Sequence, residues 1–249
     1  MTTNPTATAL PFGSIDIHSH LLYGVDDGCQ TLEQTIECIN HLKQAGYVAS
    51  ICTPHIVPDK FPDNTPASLL PKFQKMQQEL RDAGVDYPLF MGGEVTSRPY
   101  TVEWFKENGV PTLAGSRYVL MDVWGTDWHD WLNPLMQWVI DQGYTPILAH
   151  PERFKGGHGQ MHRFIELKQM GVMLQGNLPC LMGKYGPEIE AVARELLLQN
   201  HYDLMATDSH NPNGTLAAIQ GREVFSTLQC PASLDQKTSG LPRKILGLA

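Results

Sequence analysis

The chain has 249 residues, 42% of them hydrophobic, enough to bury one large core within a single domain. Its formal net charge of -8 excludes a general affinity for nucleic acid or anionic membrane, since both need basic patches. The five cysteines, Cys29, Cys38, Cys52, Cys180 and Cys230, form no CxxC pair and suit a reducing cytoplasm, while the opening MTTNPTATALPFG lacks the apolar core of a leader and no run approaches a membrane span.

Residues 1–13 read as an N-terminal extension. Seven short apolar runs follow as predicted strands, near 15–18, 48–53, 88–93, 117–122, 145–149, 172–175 and 203–207. Helix-like segments separate them at 31–45, 66–83, 99–107, 129–142, 160–170 and 187–200, and a last one spans 214–227. The first is the clearest. Leu32, Ile36, Ile39 and Leu42 make one apolar stripe, Thr31 with Gln34 gives a capping-box pattern, and Gly46 supplies a left-handed stop. Residues 231–249, rich in Pro, Gly, Ser and Lys, read as a C-terminal tail, either poorly ordered or packed on the body formed by 14–230. Strands alternating with helices imply parallel pairing with right-handed crossovers, and seven repeats favour an α/β TIM-like barrel over an open doubly wound sheet. No GxGxxG or Walker loop supports the open sheet.

Five strings close β-like runs with metal-ligand side chains: DIHSH at 16–20, TPH at 53–55, GGE at 92–94, AHPER at 149–153 and TDSH at 207–210. In a barrel the chemistry sits on the loops after the strands, where all five lie. His18 and His20 flank Ser19, so the two-residue period of a strand sends both imidazoles to one side, shared by Asp16. Glu94 follows two glycines that let backbone approach a crowded centre, and its carboxylate can bridge two cations. Asp27 in the loop VDDG, with Asp26 as a substitute, and Asp122 at the end of YVLMD offer further hard oxygen ligands. His55, His150 and His210 complete the imidazoles, and Asp208 repeats with His210 the spacing of His18 with His20.

Each of these alone has an ordinary explanation: a His-x-His on a strand edge, a surface glutamate, an aspartate beside glycine in a turn. Their delivery by five separate strand ends across nearly 200 residues does not. His41, His129, His158, His162 and His201 sit in helical or polar contexts and are read as ordinary.

A cluster of this kind holds two or three divalent metals and suits phosphoester hydrolysis, because adjacent cations neutralise phosphate oxygens and lower the pKa of a bound water. Hydroxide formed there would attack phosphorus directly, with no phosphoenzyme. Arg153, three residues after His150, offers a planar fork to phosphate, or else a salt bridge to Glu152. A metal-site Asp or His, with Asp208 and His210 as the candidates, would protonate the leaving group.

The strings DIHSHLLYGVDDG, CTPH, GGEV, YVLMD, PILAHPERF and MATDSHN, in that order, resemble the polymerase and histidinol phosphatase (PHP) superfamily. The resemblance is strongest to its capsule-regulating bacterial branch, the manganese-dependent protein tyrosine phosphatases of the CpsB and YwqE type. It implies a distorted seven-stranded (β/α) barrel with a trinuclear centre. His18, His20, Glu94 and Asp208 would form one site, Glu94, Asp122 and His150 a second, and Asp27, His55 and His210 a third. It further implies Mn²⁺, with Fe, Zn, Mg or Co as alternatives, Arg153 as the phosphate grip, and as substrate the tyrosine-rich tail of a membrane-associated autokinase that controls polysaccharide export.

Two departures stand out. Asp122 replaces the usual Glu of the branch, and no arginine follows the last DxH string until Arg222.

A cysteine-dependent phosphatase would need Cys-x5-Arg, whereas the residues at that spacing are Thr35, Gln44, Pro58, Gly186 and Gln236. The remaining alternatives are a small-molecule phosphatase of the histidinol phosphate or sugar phosphate kind, and a metal-stabilised binding protein. The latter would use the tryptophan-rich segment WGTDWHDWLNPLMQW, otherwise read as helix core and a lid.

Overall fold

A computed structural model describes residues 10–123 and 127–248. Most of the expected N-terminal extension, and Trp124 at the head of the tryptophan-rich segment, lie outside the described residues. The strands are β1 (Ser14–Ser19), β2 (Tyr47–Cys52), β3 (His55–Ile56), β4 (Leu89–Met91), β5 (Glu94–Thr96), β6 (Tyr118–Asp122), β7 (Thr145–Ala149), β8 (Met173–Asn177) and β9 (Leu204–Ala206). The helices are α1 (Leu32–Gln44), α2 (Pro66–Asp82), α3 (Thr101–Asn108), α4 (Leu132–Asp141), α5 (Gly157–Met170), α6 (Pro187–Leu198), α7 (Pro212–Thr227) and α8 (Leu241–Ile245).

Each of the seven apolar runs forms a strand, and just past the ends of the second and third a short further strand follows that the apolar pattern does not mark. Thr53 and Pro54 separate β2 from β3, where proline contributes no ladder N–H. Gly92 and Gly93 separate β4 from β5. A Cβ on Gly92 would stand 2.8 Å from Leu113 Cδ2, and one on Gly93 2.6 Å from Ile56 Cδ1, so only glycine lets the chain pass this close.

All pairings are parallel. The ladders form a three-stranded sheet, β1-β2-β4, and a six-stranded sheet, β3-β5-β6-β7-β8-β9. The gaps that follow β2 and β4 divide the two sheets. β1 meets the end of β9 through an isolated bridge from Ser19 to Ser209, with His20 N–H donating to Ser209 O (2.8 Å) and Asp208 N–H to His18 O (2.9 Å). Buried Asp16 fastens the same seam, accepting from Thr207 N–H at 3.0 Å and from its hydroxyl at 2.5 Å.

Period-two alternation sorts the core. Tyr118 and Leu120 of β6 and Leu204 and Ala206 of β9 fall in one buried cluster with Ile15, Ile17, Ile51 and Ile147. The intervening Val119, Met121 and Met205 belong to a second, larger cluster shared with the helices. Continuing the first parity along each strand reaches Asp122 and Asp208, so polar residues take over from the apolar stack at the C-terminal strand ends. At the opposite end the chain's last turns close the first cluster: Ile245 and Leu246 join it, and Thr238 Oγ1 lies 3.0 Å from Ser14 Oγ.

The helices follow the sequence pattern with one local correction. Thr31 accepts from Gln34 N–H at 3.4 Å, but the Gln34 side chain returns to Gln30 N–H (2.8 Å) rather than to Thr31, so the box at α1 is not reciprocal. The reciprocal box is at α2, between Thr65 and Ser68.

α7 packs on the turn Leu178–Met182 at Gly221, where a Cβ would lie 2.1 Å from Leu178 O. Gly221→Ala should therefore destabilise the protein by about 1–3 kcal/mol through forced backbone displacement. The check is the urea unfolding midpoint; an unchanged midpoint would show that α7 can slide away at no cost.

Candidate metal centre

The five strings converge on one buried point. Glu94, the first residue of β5, is its hub. Its Oε1 accepts from His150 Nε2 at 2.9 Å, while Oε2 lies 2.9 Å from His55 Nδ1 and 3.4 Å from both His18 Nε2 and His20 Nε2. Asp208 Oδ1 faces the same two nitrogens at 3.2 and 3.3 Å. His210 stacks on His20 with ring centroids 3.9 Å apart. Asp27 Oδ1 stands 3.3 Å from His55 Nε2 and 3.7 Å from His210 Nε2, and Asp122 Oδ1 stands 3.8 Å from His150 Nδ1. Every predicted ligand is thus present.

Four sets have ligand atoms lying within 4.8 Å of one another: His20, Asp27, His55 and His210; His18, His150 and Asp208; His18, His20 and Glu94; Glu94, Asp122 and His150. Two ligand candidates sit in the left-handed region although neither is glycine, His150 at φ 34° and Asp208 at φ 50°. That conformation costs an L-residue on the order of 1–2 kcal/mol and turns each side chain inward just past its strand.

A relay of amides fixes the two central imidazoles. Asn177 Nδ2 donates to Asp208 Oδ2 (2.7 Å), which leaves Asn177 Oδ1 to accept from Gln175 Nε2 (2.7 Å). Gln175 Oε1 then accepts from His18 Nδ1–H at 2.8 Å. With Nδ1 the donor, His18 Nε2 carries a lone pair. Asp26 Oδ2, 2.7 Å from His20 Nδ1, sets the same tautomer there.

Two lone pairs, 3.3 Å apart, therefore face Glu94 Oε2 and Asp208 Oδ1, and neither of these buried oxygens has a hydrogen-bond partner among the described residues. With the rings neutral, acceptors face acceptors in a buried space, so the cluster needs a proton or a metal cation between them. The donor set of imidazole nitrogen and carboxylate oxygen, with no thiolate, fits Mn²⁺, Fe²⁺ or Zn²⁺.

The titration behaviour says the same. Burial opposes charge on His18, but Glu94 and Asp208 outweigh it and lift the pKa to about 9. His20 is likewise raised despite burial, chiefly by Asp26. Burial also works against the carboxylates of Glu94 and Asp208, yet His18 and its neighbours hold both well below the ordinary range. Asp26 is pulled to about 2 in the same way, mainly by His20. Asp122, buried and close to Glu94, moves up.

The sequence left Asp26 and Asp27 interchangeable, and the structure separates them. Asp27, its side chain 46% exposed, faces His55 and also meets Lys60 at 3.0 Å. Asp26 is buried and orients His20, while accepting the N–H groups of Gly28 (2.9 Å) and His55 (2.9 Å). Gln175 and Asn177 were not singled out in the sequence. Their one signal was position, as QGN closes the sixth run in the place where other runs end in ligands.

Arg153 bonds Asp208 Oδ2 through Nη2 at 2.7 Å rather than Glu152, which is buried and accepts from Tyr202 Oη and Asn177 N–H, each at 2.8 Å. A cleft of about 270 Å³ opens onto the ligands, with Arg153, Val123 and Phe154 on its walls. No cysteine lines it among the described residues. His158 lies elsewhere, paired with Glu195 at 2.5 Å. Trp128 packs against Phe154 and Phe164, centroids 5.5 and 6.0 Å away.

A parallel α/β protein with a carboxylate-bridged imidazole cluster at its strand ends belongs to the metal-dependent hydrolase class of site. Residues 14–223 match the family described as capsular polysaccharide synthesis, CpsB/CapC, and the chain is a member of that family. The tyrosine-protein phosphatase CpsB of Streptococcus agalactiae serotype V is 28% identical over 204 residues, covering 79% of this chain and 83% of that protein. The tyrosine-protein phosphatase YwqE of Bacillus subtilis is 24% identical over 197 residues, covering 79% and 77%. A solved structure from work on YwqE of Bacillus subtilis and CpsB of Streptococcus pneumoniae, described as unique metal-dependent tyrosine phosphatases, superposes with a TM-score of 0.84. It covers 94% of each chain at 22% identity and shares this fold.

Two predictions follow from the cluster. His18 keeps its proton, and the stability that goes with it, at pH below its unfolded value near 6.5, and loses both as pH rises through about 9. Metal needs the lone pair, so in this window binding should expel protons and tighten as pH rises. Calorimetry at pH 7.5 in buffers of different ionisation enthalpy measures the proton count, and no release would remove His18 from the ligand set. Gln175→Leu, which frees His18 Nδ1, should weaken metal binding by about 10- to 100-fold with little change in far-UV dichroism.

Proposed function

We propose that this chain is a metal-dependent phosphomonoesterase acting on protein phosphotyrosine. The observation that carries the reading is the buried cluster in which the Nε2 lone pairs of His18 and His20 face Glu94 and Asp208, with Arg153 at its edge. His18, His20, Glu94 and Asp208 would hold one divalent ion, Glu94, Asp122 and His150 a second, and Asp27, His55 and His210 a third, with Mn²⁺ the expected metal. Bound there, the ions supply a nucleophile at neutral pH and neutralise phosphate oxygens.

The protein's own groups do the positioning. Asp208 anchors one guanidinium nitrogen of Arg153, leaving the rest of the planar fork for phosphate. Gln175, Asn177 and Asp26 hold the imidazoles in the tautomer that accepts a cation. Val123 and Phe154 give the cleft an apolar wall suited to an aryl group. Of the two candidates for the leaving phenolate's proton, Asp208 is held ionised by His18 and Arg153, which leaves His210.

The seven strand positions are read as a distorted (β/α)7 barrel. The all-parallel pairing of the two ladders and the bridge between Ser19 and Ser209 support this reading. Residues 14–230 form the catalytic body, with the segment from 231 packed on it. The substrate is a phosphotyrosine protein, by analogy with the relatives' named activity, and specifically the tail of a tyrosine autokinase in capsule or exopolysaccharide synthesis. The site of action is the cytoplasm; among the described residues no helix is long and apolar enough to cross a membrane.

The test is phosphate release from a phosphotyrosine peptide with and without Mn²⁺. Release should require the metal and survive replacement of all five cysteines by serine. His150→Ala should lower it by at least about 100-fold, beyond the effect typical of an outer partner. Metal-dependent release from metabolite monoesters alone would instead make the protein a small-molecule phosphatase.

A further inference from the structure

Outside the metal cluster, one short turn holds groups that the site as described leaves without a role. Gly183 to Gly186 form a tight turn closed by Gly186 N–H on Gly183 O at 2.9 Å, and both glycines are left-handed, at φ 70° and 103°. Between them stand Lys184 and Tyr185. The Tyr185 ring, 37% exposed, lies 4.4 Å from Arg153 Cζ, and Lys184 Nζ lies 5.4 Å from the same ring.

We propose that this turn completes the phosphate grip: Lys184 supplies a second cation beside Arg153, and Tyr185 is a positioning residue that holds the Arg153 guanidinium flat. The proposal rests on the phosphomonoesterase reading above.

The electrostatics argue for an anion here. Arg153 and Lys184 share one aromatic ring, so their charges lie within about 10 Å of each other, a Debye length at moderate ionic strength. The carboxylate between them and the cluster, Asp208, is already bonded to Arg153 and Asn177. Glu190, which approaches the turn at Gly183, is paired with Arg194 at 2.8 Å. Among the described residues Lys184 has no carboxylate partner. Two cations on one aromatic ring, with the nearby acids engaged, are stabilised when a phosphate oxygen enters between them.

Position argues the same way. Lys184 Nζ comes within 3.7 Å of where a Cβ on Gly214 would sit, and Gly214 is tied by a 2.9 Å bond to the side chain of Asn211, which follows His210. The ammonium therefore stands beside the loop that carries Asp208 and His210. Arg222, the first arginine after that loop, is at the other end of the strands. It donates to Ser14 Oγ at 2.8 Å and covers Tyr47, so among the described residues Arg153 is the one arginine lining the cleft.

The experiment uses full-length Mn²⁺-loaded protein and two readouts: binding of inorganic phosphate by calorimetry, and KM against kcat on a phosphotyrosine peptide. Lys184→Gln should weaken phosphate binding about fivefold and raise KM in parallel with kcat nearly unchanged, and Lys184→Arg should restore both. Tyr185→Ala should weaken phosphate binding about three- to fivefold while Tyr185→Phe retains it, because the ring face and not the hydroxyl covers Arg153.

Unchanged phosphate affinity in Lys184→Gln at equal manganese content overturns the role of Lys184, and a Tyr185→Phe loss equal to that of Tyr185→Ala overturns the role of the ring. Wild-type protein that fails to bind phosphate overturns the whole proposal. If the peptide is inert but phosphate binds and Lys184→Gln weakens it, the grip stands and the phosphotyrosine reading falls. Peptide turnover with no effect of Lys184→Gln means the reverse.

Discussion

The Nε2 atoms of two imidazoles and two carboxylate oxygens point at one another in a buried space, where only a proton on the rings or a metal cation reconciles them. This arrangement is unfavourable in isolation, and much of the surrounding polar structure serves to maintain it. Asn177, Gln175 and Asp26 prevent the rings of His18 and His20 from flipping to relieve it. Glu152 and Tyr202 anchor Asn177 in turn through a backbone N–H. The energy stored in such an acceptor cluster is returned when a divalent cation binds, so the apo fold and metal affinity are coupled.

The same demand explains where the chain departs from regular geometry. Asp122 ends β6, His150 and Asp208 lie just past β7 and β9, and His55 and Glu94 open the short strands β3 and β5; at His150 and Asp208 the backbone leaves the β region and aims the side chain inward. Glu94 reaches the centre because Gly92 and Gly93 let the chain pass close to Leu113 and Ile56 before β5 pairs with β3. The interruptions that divide the sheet into two ladders are thus the places where the second and third runs deliver His55 and Glu94.

Much of this was legible in the sequence, for physical reasons that differ by element. The apolar runs announced all seven strand positions because parallel strands are buried on both faces, while Asp122 was visible at the end of such a run and Asp208 through its spacing from His210. Imidazoles at strand ends could be recognised by residue type alone. Gln175 and Asn177 could not, since amides are common, and only the three-dimensional path from Asp208 to His18 shows what their orientation does. The difference between Asp26 and Asp27 was equally hidden: adjacent residues of one type in a turn face opposite ways, and burial decides which one orients and which one faces the cleft. Composition left the tail after 231 either poorly ordered or packed on the body, and its apolar Ile245 and Leu246 pack it against the end of the strand cluster.

The seam between β1 and β9 also governs when the centre can exist. His18 and His20 emerge early in synthesis, but Asp208 and His210, and the Thr207 that fastens Asp16, are made nearly 200 residues later. A growing chain therefore carries a pair of histidines and Glu94 without the carboxylate that completes their set. High-affinity metal capture has to wait for the last strand to dock, so a truncated or partly folded copy would sequester little metal in the cell, and loading becomes a report that the whole chain has folded.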